Sequence, residues 1–253
     1  MKKVLTTLII ISIFETAIVA QNNFTKSIPV RQNQKVYMEF QYPELIKIST
    51  WDNNEILLTG QVSINLGKNN DAFEIIVRES DQNLNIESLI RNKNQLPRNI
   101  IIKKDGQKYL FEGADWNSSE IQEFYEEHGK DNISWISNGI DIEVILEIKI
   151  PRHIELDIYS KHGMIEILDL PATLIANSKH RGVDLSVPSG AKYKFELNTK
   201  HGEVYSNLDL DFDKGYGTTK PYNWSRILAN LNGGGKKIIL ETQHGNLYLR
   251  TKK

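Results

Sequence analysis

The sequence contains no cysteine among its 253 residues. This absence excludes disulfide bridges, thiolate metal sites, a cysteine nucleophile and lipid attachment through a cysteine near residue 20. Neither sign of charge is in excess, because 31 Lys and Arg residues are matched by 32 Asp and Glu residues and the formal net charge is −1. A balanced chain offers nucleic acid no global electrostatic attraction, so we expect no nucleic-acid partner.

Long hydrophobic runs are absent after the N-terminus. There, an apolar run from Val4 to Phe14 follows Lys2 and Lys3 and precedes small residues that end at Ala20. This three-part form is typical of a secretory signal peptide, and the run is too short to span a bilayer comfortably. We therefore expect residues 1–20 to be a signal peptide and the protein to be exported, to the periplasm or the cell surface. An uncleaved anchor is the alternative.

A short phrase recurs four times: SKHGMIEI at 160–167, SKHRGVDL at 178–185, TKHGEVYS at 199–206 and TQHGNLYL at 242–249. In each copy Ser or Thr stands two residues before a histidine, and glycine follows it by one or two. Apolar residues recur at every second position on both sides, which predicts two short strands per copy. The glycines are expected to supply a positive φ in the turn between them: Gly163, Gly182, Gly202 and Gly245.

The spacing of the repeated histidines predicts the fold. Successive histidines are 18, 21 and 43 residues apart, which indicates a two-strand unit of about 20 residues with two units in the last gap. One such unit cannot bury its apolar face alone, so the pattern favours an all-β solenoid, or β-helix, of stacked units. An antiparallel β-sandwich is the alternative, because alternating strands with glycine turns also fit it.

The remaining pattern divides the chain into four parts. These are the signal peptide 1–20, N-terminal strands continuous with the solenoid at 21–112, a loop with a short amphipathic helix at 113–135, and the repeat solenoid at 136–253. The helix is predicted because Asn117 and Glu120 resemble a capping box. Apolar or aromatic residues then follow at helical spacing, and Gly129 suits a helix C-terminus: Ile121, Phe124, Tyr125 and His128.

Residues 35–66 and 147–249 resemble a known family. The segments KVYMEF and KISTWDNNEILLTGQVSI, the IKIP stretch, the hydroxyl-x-His-Gly turns and the terminal LNGGGKKIILETQHGNLYL are similar to the bacterial adhesin-like domains called DUF4097. The resemblance implies an exported or envelope-associated protein with β-helical strand-turn repeats. By the family's name, it also implies adhesion.

The repeated turns carry the first candidate sites. If the turns stack in register, His162, His180 and His201 would lie on neighbouring units, where they could share a Zn²⁺ at about 2.0–2.1 Å. Alternatively, the imidazole rings stack on one another without a metal. A second row is Lys161, Lys179 and Lys200, with Gln243 in the fourth copy. These lysines either bind an anionic envelope polymer or keep a strand edge soluble.

Carboxylates form the second group of candidates. Asp157 and Glu196 share one outward position in two copies, and Glu166 and Asp184 share another. Glycan-cleaving enzymes place pairs of acids together, although strand alternation alone also turns polar residues outward. No Ser-His-Asp order, phosphate loop or nucleotide motif is present, so the sequence assigns no catalytic residue, no cofactor-binding residue and no cofactor.

The sequence thus favours a non-enzymatic, adhesin-like protein. We expect it to bind or scaffold at the bacterial cell envelope, with an unidentified surface polymer or protein as its partner. Open strands at the ends of the stack would also allow self-association. A polysaccharide-active enzyme on the same scaffold and a periplasmic metal-binding protein that uses stacked histidines are the alternatives.

Overall fold

The computed structural model describes residues 22–212 and 224–252. The predicted signal peptide therefore lies outside the described residues, as do residues 213–223. The described part contains one helix, α1 (Ser119–His128), two 3₁₀ turns (Asn70–Ala72 and Lys93–Gln95) and the following strands: β1 Asn22–Pro29, β2 Lys35–Phe40, β3 Leu45–Trp51, β4 Glu55–Ile64, β5 Phe73–Glu79, β6 Asn83–Ile90, β7 Asn99–Lys104, β8 Gln107–Glu112, β9 Ile133–Gly139, β10 Ile142–Pro151, β11 Glu155–Ser160, β12 Met164–Ile167, β13 Thr173–Ser178, β14 Gly182–Val187, β15 Tyr193–Thr199, β16 Val204–Ser206, β17 Leu210–Phe212, β18 Ser225–Leu231, β19 Lys236–Thr242 and β20 Asn246–Thr251.

Two large mixed sheets enclose the main core. The first sheet has the order β1-β4-β10-β3-β12-β14-β20-β16, and the second has the order β17-β18-β15-β19-β13-β11-β2-β6-β5. Their strands alternate buried and exposed residues, as in β2, where Val36, Met38 and Phe40 point inward. Every second side chain of each strand therefore points between the two sheets, where these side chains form one apolar layer. The architecture is a β-sandwich.

The predicted solenoid is wrong, and the alternative sandwich fits better. A solenoid stacks its units in chain order, but here β19 and β20 lie between the strands of the second and third copies. Antiparallel pairs also form at one end of the first sheet, β1 with β4, and at both ends of the second, β17 with β18 and β5 with β6. The apolar pattern specifies which face of a strand is buried, but it does not specify which strand lies beside it.

The two-strand unit inferred from the repeat is nevertheless present. Each copy places its first strand in the second sheet and its next strand in the first sheet, so the chain crosses between the sheets at the histidine turn. Equivalent strands pair in parallel with no offset: Leu156 lies opposite Leu174, and Ile165 lies opposite Val183. Equivalent residues of neighbouring copies are therefore held side by side.

A small third sheet, of order β8-β7-β9, packs against α1. Its apolar cluster is separate from the main core and consists of Ile100, Ile102, Ile121 and Phe124. The helix begins one residue later than predicted, with Ser118 rather than Asn117 at the N-cap, and it ends at Gly129, which has φ 72°. Among the described residues, no helix is long and apolar enough to cross a membrane.

Candidate functional site at the histidine turns

A buried hydroxyl group organises each histidine turn. In all four turns the Ser or Thr oxygen accepts a hydrogen bond of 2.9 Å from the backbone N–H of the turn glycine: Ser160 from Gly163, Ser178 from Gly182, Thr199 from Gly202 and Thr242 from Gly245. The Ser178 hydroxyl also donates to the carbonyl oxygen of Gly163 at 2.9 Å. These bonds satisfy backbone groups that would otherwise be buried without partners.

The turn glycines are required by space rather than by a positive φ. Only Gly182 has a positive φ, 126°, so the predicted conformation is wrong for Gly163, Gly202 and Gly245. A Cβ atom on Gly202 would lie 1.6 Å from the carbonyl oxygen of Gly245 in the neighbouring turn. The backbones of adjacent turns thus approach more closely than any larger residue allows.

The four histidine rings form one exposed stack. His162 and His180 are 5.2 Å apart between ring centroids, His180 and His244 are 5.2 Å apart, and His244 and His201 are 5.0 Å apart. Adjacent ring planes lie within 12° of parallel. The fourth copy therefore separates His180 from His201, which the sequence analysis placed on neighbouring units.

Two of these histidines have lowered pKa values. Partial burial lowers the pKa of His162, and the positive charges of His180, Lys161, Lys93 and Lys179 lower it further. Desolvation, followed by the charges of neighbouring imidazoles and lysines, also lowers the pKa of His244. A low pKa favours the neutral ring near pH 7.

The stack does not form a ready zinc site. Two nitrogen atoms bound to one Zn²⁺ can be separated by no more than about 4.2 Å, twice the usual Zn–N distance. Parallel rings 5.0–5.2 Å apart would have to rotate out of the stack to meet this limit. Among the described residues, no group of three or more His, Cys, Asp or Glu residues is placed to hold a metal ion. Metal binding by His162, His180 and His201 remains a prediction.

The lysine row lies beside the rings. Lys161, Lys179 and Lys200 are half-buried and occupy the position before the histidine in three of the four stacked turns, with Gln243 between the last two. We call these lysines, together with His162, His180, His244 and His201, the histidine–lysine edge. Backbone hydrogen bonds join its turns, since the Lys179 N–H donates to the carbonyl oxygen of Ser160 at 2.8 Å and the His244 N–H donates to that of Lys179 at 2.9 Å.

The structure separates the first carboxylate pair. Asp157 lies beside Ile175, Ile175 beside Ile239, and Ile239 beside Glu196. Two strands therefore stand between Asp157 and Glu196, and at about 4.8 Å per strand they are too far apart to act on one bond. Burial raises the pKa of Asp157.

The surroundings of Glu196 are typical of a carboxylate that stabilises the fold. It is only 8% exposed, and it pairs with Arg226 at 2.9 Å and Lys237 at 2.8 Å. Burial opposes its ionisation, but the hydrogen bonds and charges of these two cations outweigh burial and lower the pKa to about 2. The unfolded chain binds this proton more readily, so the carboxylate's contribution to stability is complete above about pH 4.5 and is lost as the pH falls toward about 2.

We expect Glu196→Gln to lower the free energy of unfolding by about 1–2 kcal/mol near pH 7, because both cations lose a charged partner. The difference should shrink as the pH falls below about 4.5 and should nearly disappear at about pH 2, in urea unfolding followed by circular dichroism. Glu155→Gln is the matched control, since Glu155 is half-exposed and forms a long 3.5 Å pair with Lys35. Its effect should stay below about 0.5 kcal/mol. A Glu196→Gln deficit that is equal at both pH values would contradict this assignment.

The second carboxylate pair does come together. Glu166 and Asp184 are direct neighbours on β12 and β14, on the outer face of the first sheet. Burial raises the pKa of Asp184, although its ion pair with Arg250 opposes the rise. On the next strands of the sheet, Tyr248 lies beside Asp184 and Tyr205 lies beside Tyr248. The two tyrosine rings stack with their centroids 5.4 Å apart. The tyrosine pair was not predicted from the sequence, although both tyrosines stand four residues after a repeated histidine.

The chain was compared with protein families, curated proteins and solved structures. No protein-family model matches the chain, and no curated protein matches it. The chain is similar to a crystal structure of a protein from Clostridium sporogenes that is provisionally described as a cell adhesion protein. The similarity covers 92% of this chain and 100% of the other, with 10% sequence identity and a TM-score of 0.48. The DUF4097 assignment therefore remains a prediction.

Proposed function

We propose that this protein is a non-enzymatic, exported binding protein of the bacterial envelope, and that its histidine–lysine edge binds a linear anionic polysaccharide. The observation that carries the proposal is the row of three lysines beside four stacked imidazole rings. A row of regularly spaced cations is complementary to a chain of regularly spaced anionic groups.

Several cations at other places on the sheets are held in ion pairs. Arg250 pairs with Asp184, Lys252 with Asp169, and Lys237 with Glu196. Among the described residues, by contrast, no carboxylate lies within ion-pairing distance of the three edge lysines. Like charges held side by side cost stability, so an unpaired row is most favourable when an external anion neutralises it.

The length of the edge favours a polymer over a small anion. Three ring-to-ring steps of 5.0–5.2 Å make the histidine stack about 15 Å long. Exposed charge pairs each contribute only about 0.2–1 kcal/mol, so useful affinity requires several contacts at once. An extended polyanion can contact several of the stacked turns at once, whereas a single phosphate or carboxylate reaches one or two.

The test is binding of polygalacturonate, with neutral dextran as the polymer control, measured by isothermal titration calorimetry. The triple variant Lys161→Gln, Lys179→Gln, Lys200→Gln is expected to bind about 3- to 150-fold more weakly, as the loss of three contacts of about 0.2–1 kcal/mol each implies. Added salt should weaken wild-type binding because the contacts are exposed to solvent. The matched variant Lys192→Gln, Lys194→Gln, Lys236→Gln removes the same charge near the opposite ends of the strands and should bind normally.

Two results would contradict the proposal. One is equal binding by the edge variant and the wild type, or no binding of polygalacturonate at all. The other is cleavage of the polymer, which would favour the enzymatic alternative. The adjacent carboxylates Glu166 and Asp184 are the specific observation behind that alternative, since glycosidases that retain configuration hold two carboxyl groups about 5–5.5 Å apart. Release of reducing ends that is lost in Asp184→Asn would therefore replace the binding proposal.

A further inference from the structure

We propose that the histidine–lysine edge takes up protons when it binds a polyanion, so that mild acidity tightens binding. This inference rests on the proposed function and adds its regulation. It follows from the arrangement of the imidazoles: four exposed rings in a single stack, with a lysine beside three of the four.

The charges that act on His162 and His244 are cations. Lys161, Lys179 and Lys93 act on His162, and Lys179 and Lys200 act on His244, in each case together with neighbouring imidazoles. Lys93 comes from the 3₁₀ turn Lys93–Gln95, and the other lysines come from the stacked turns themselves. Added protons are therefore repelled from several sides in the free protein, and the rings at His162 and His244 stay neutral near pH 7.

The stacking distance makes successive protons compete. Two protonated rings on adjacent turns would lie only 5.0–5.2 Å apart, whereas rings two turns apart are separated by about 10 Å. The longer distance is close to the Debye length of about 8–10 Å at ordinary salt, so that repulsion is mostly screened. In mild acid the free stack accordingly holds protons on non-adjacent rings before it holds them on neighbours.

A bound polyanion reverses this balance. Its negative groups neutralise the lysines and favour the protonated form of each ring that they face. Proton uptake and binding are then linked, and each proton taken up strengthens binding about tenfold per pH unit within the titration range. With one to two protons taken up, we expect affinity to rise about 10- to 100-fold per pH unit below about pH 6.5.

The experiment uses dextran sulfate as the probe, because sulfate esters keep their charge across this pH range. Titration calorimetry at about pH 6 in two buffers of different ionisation enthalpy measures the protons taken up on binding. The wild type should take up one to two. The variant His162→Asn, His180→Asn, His201→Asn, His244→Asn should take up none and should lose the pH dependence. His128→Asn, His153→Asn replaces the two histidines outside the stack and should behave like the wild type.

A measurement on the wild type alone covers the case in which the fourfold variant does not fold. NMR titration of the imidazole resonances should show the stacked rings gaining protons at higher pH when dextran sulfate is present. If dextran sulfate binds without proton uptake, or without moving these titrations, proton linkage is wrong, and the proposed function is decided by the polygalacturonate titration alone. If neither polyanion binds at any pH, the proposed function itself fails.

Discussion

Replacement of Gly245 with alanine is expected to lower the free energy of unfolding by more than about 4 kcal/mol, which is exceptional for a single substitution. A Cβ atom at this position would lie 2.1 Å from the carbonyl carbon and oxygen of Arg181 and 2.5 Å from the backbone nitrogen of Gly182. These atoms belong to the backbone of the neighbouring turn, so no side chain can rotate away to make room. The paired turns would have to separate, and the parallel pairing of β14 with β20 would be disturbed.

Urea unfolding followed by circular dichroism measures the effect, and Gly139→Ala is the control. Gly139 lies on a strand, has no positive φ, and has open space where a Cβ would be. Alanine there should be neutral or stabilising by up to about 1 kcal/mol, because glycine is unfavourable in a strand. A Gly245→Ala protein as stable as the control would show that the turns do not approach as closely as described.

The turn glycines show what a sequence pattern can and cannot specify. Their recurrence predicted a turn in every copy, and each turn is present. The predicted cause, a positive φ, holds only at Gly182. At Gly245 the actual cause is the close approach of the backbone of another copy, at Arg181 and Gly182. No local pattern around Gly245 contains that information.

For the fold as well, the local features were predictable from the sequence and the order of the strands was not. Alternating apolar residues gave the strands and their buried faces correctly because that property is local. Strand order depends on which units pair, and several parallel pairings bury the same apolar rows equally well. The position of β19 and β20 between the second and third copies, and the antiparallel pairs at the sheet ends, could not be read from the repeats.

The sequence predicted which turns stand side by side, but not their order. The repeats indicated a row of histidines and a second row of lysines, and the structure stacks the four imidazole rings. The sequence analysis took chain neighbours to be spatial neighbours, so His244 was left out of the metal candidates. Lys93 comes from a distant part of the chain, and nothing in its local sequence connects it with His162.

Replacement of Ser178 with alanine is expected to lower the free energy of unfolding by about 2–3 kcal/mol. The Ser178 oxygen is fully buried, accepts from the Gly182 N–H and donates to the Gly163 carbonyl oxygen, both at 2.9 Å. Alanine would leave both backbone groups buried without a partner, at a cost of about 1–3 kcal/mol for each unsatisfied group before relaxation. Because these groups belong to two different turns, the loss should also loosen the contact between them.

Two readouts separate this cause from a general loss of packing. Chemical unfolding gives the change in stability, and hydrogen exchange should show faster exchange of the Gly182 amide in particular. Ser178→Thr keeps the oxygen that Thr199 and Thr242 use in the equivalent turns, and it should retain most of the stability. Ser186→Ala, on the half-exposed outer face of β14, should change stability by less than about 0.5 kcal/mol. If Ser178→Ala and Ser186→Ala are equally stable, the buried hydroxyl does not hold the turns together, and the register of the histidine–lysine edge must depend on strand pairing alone.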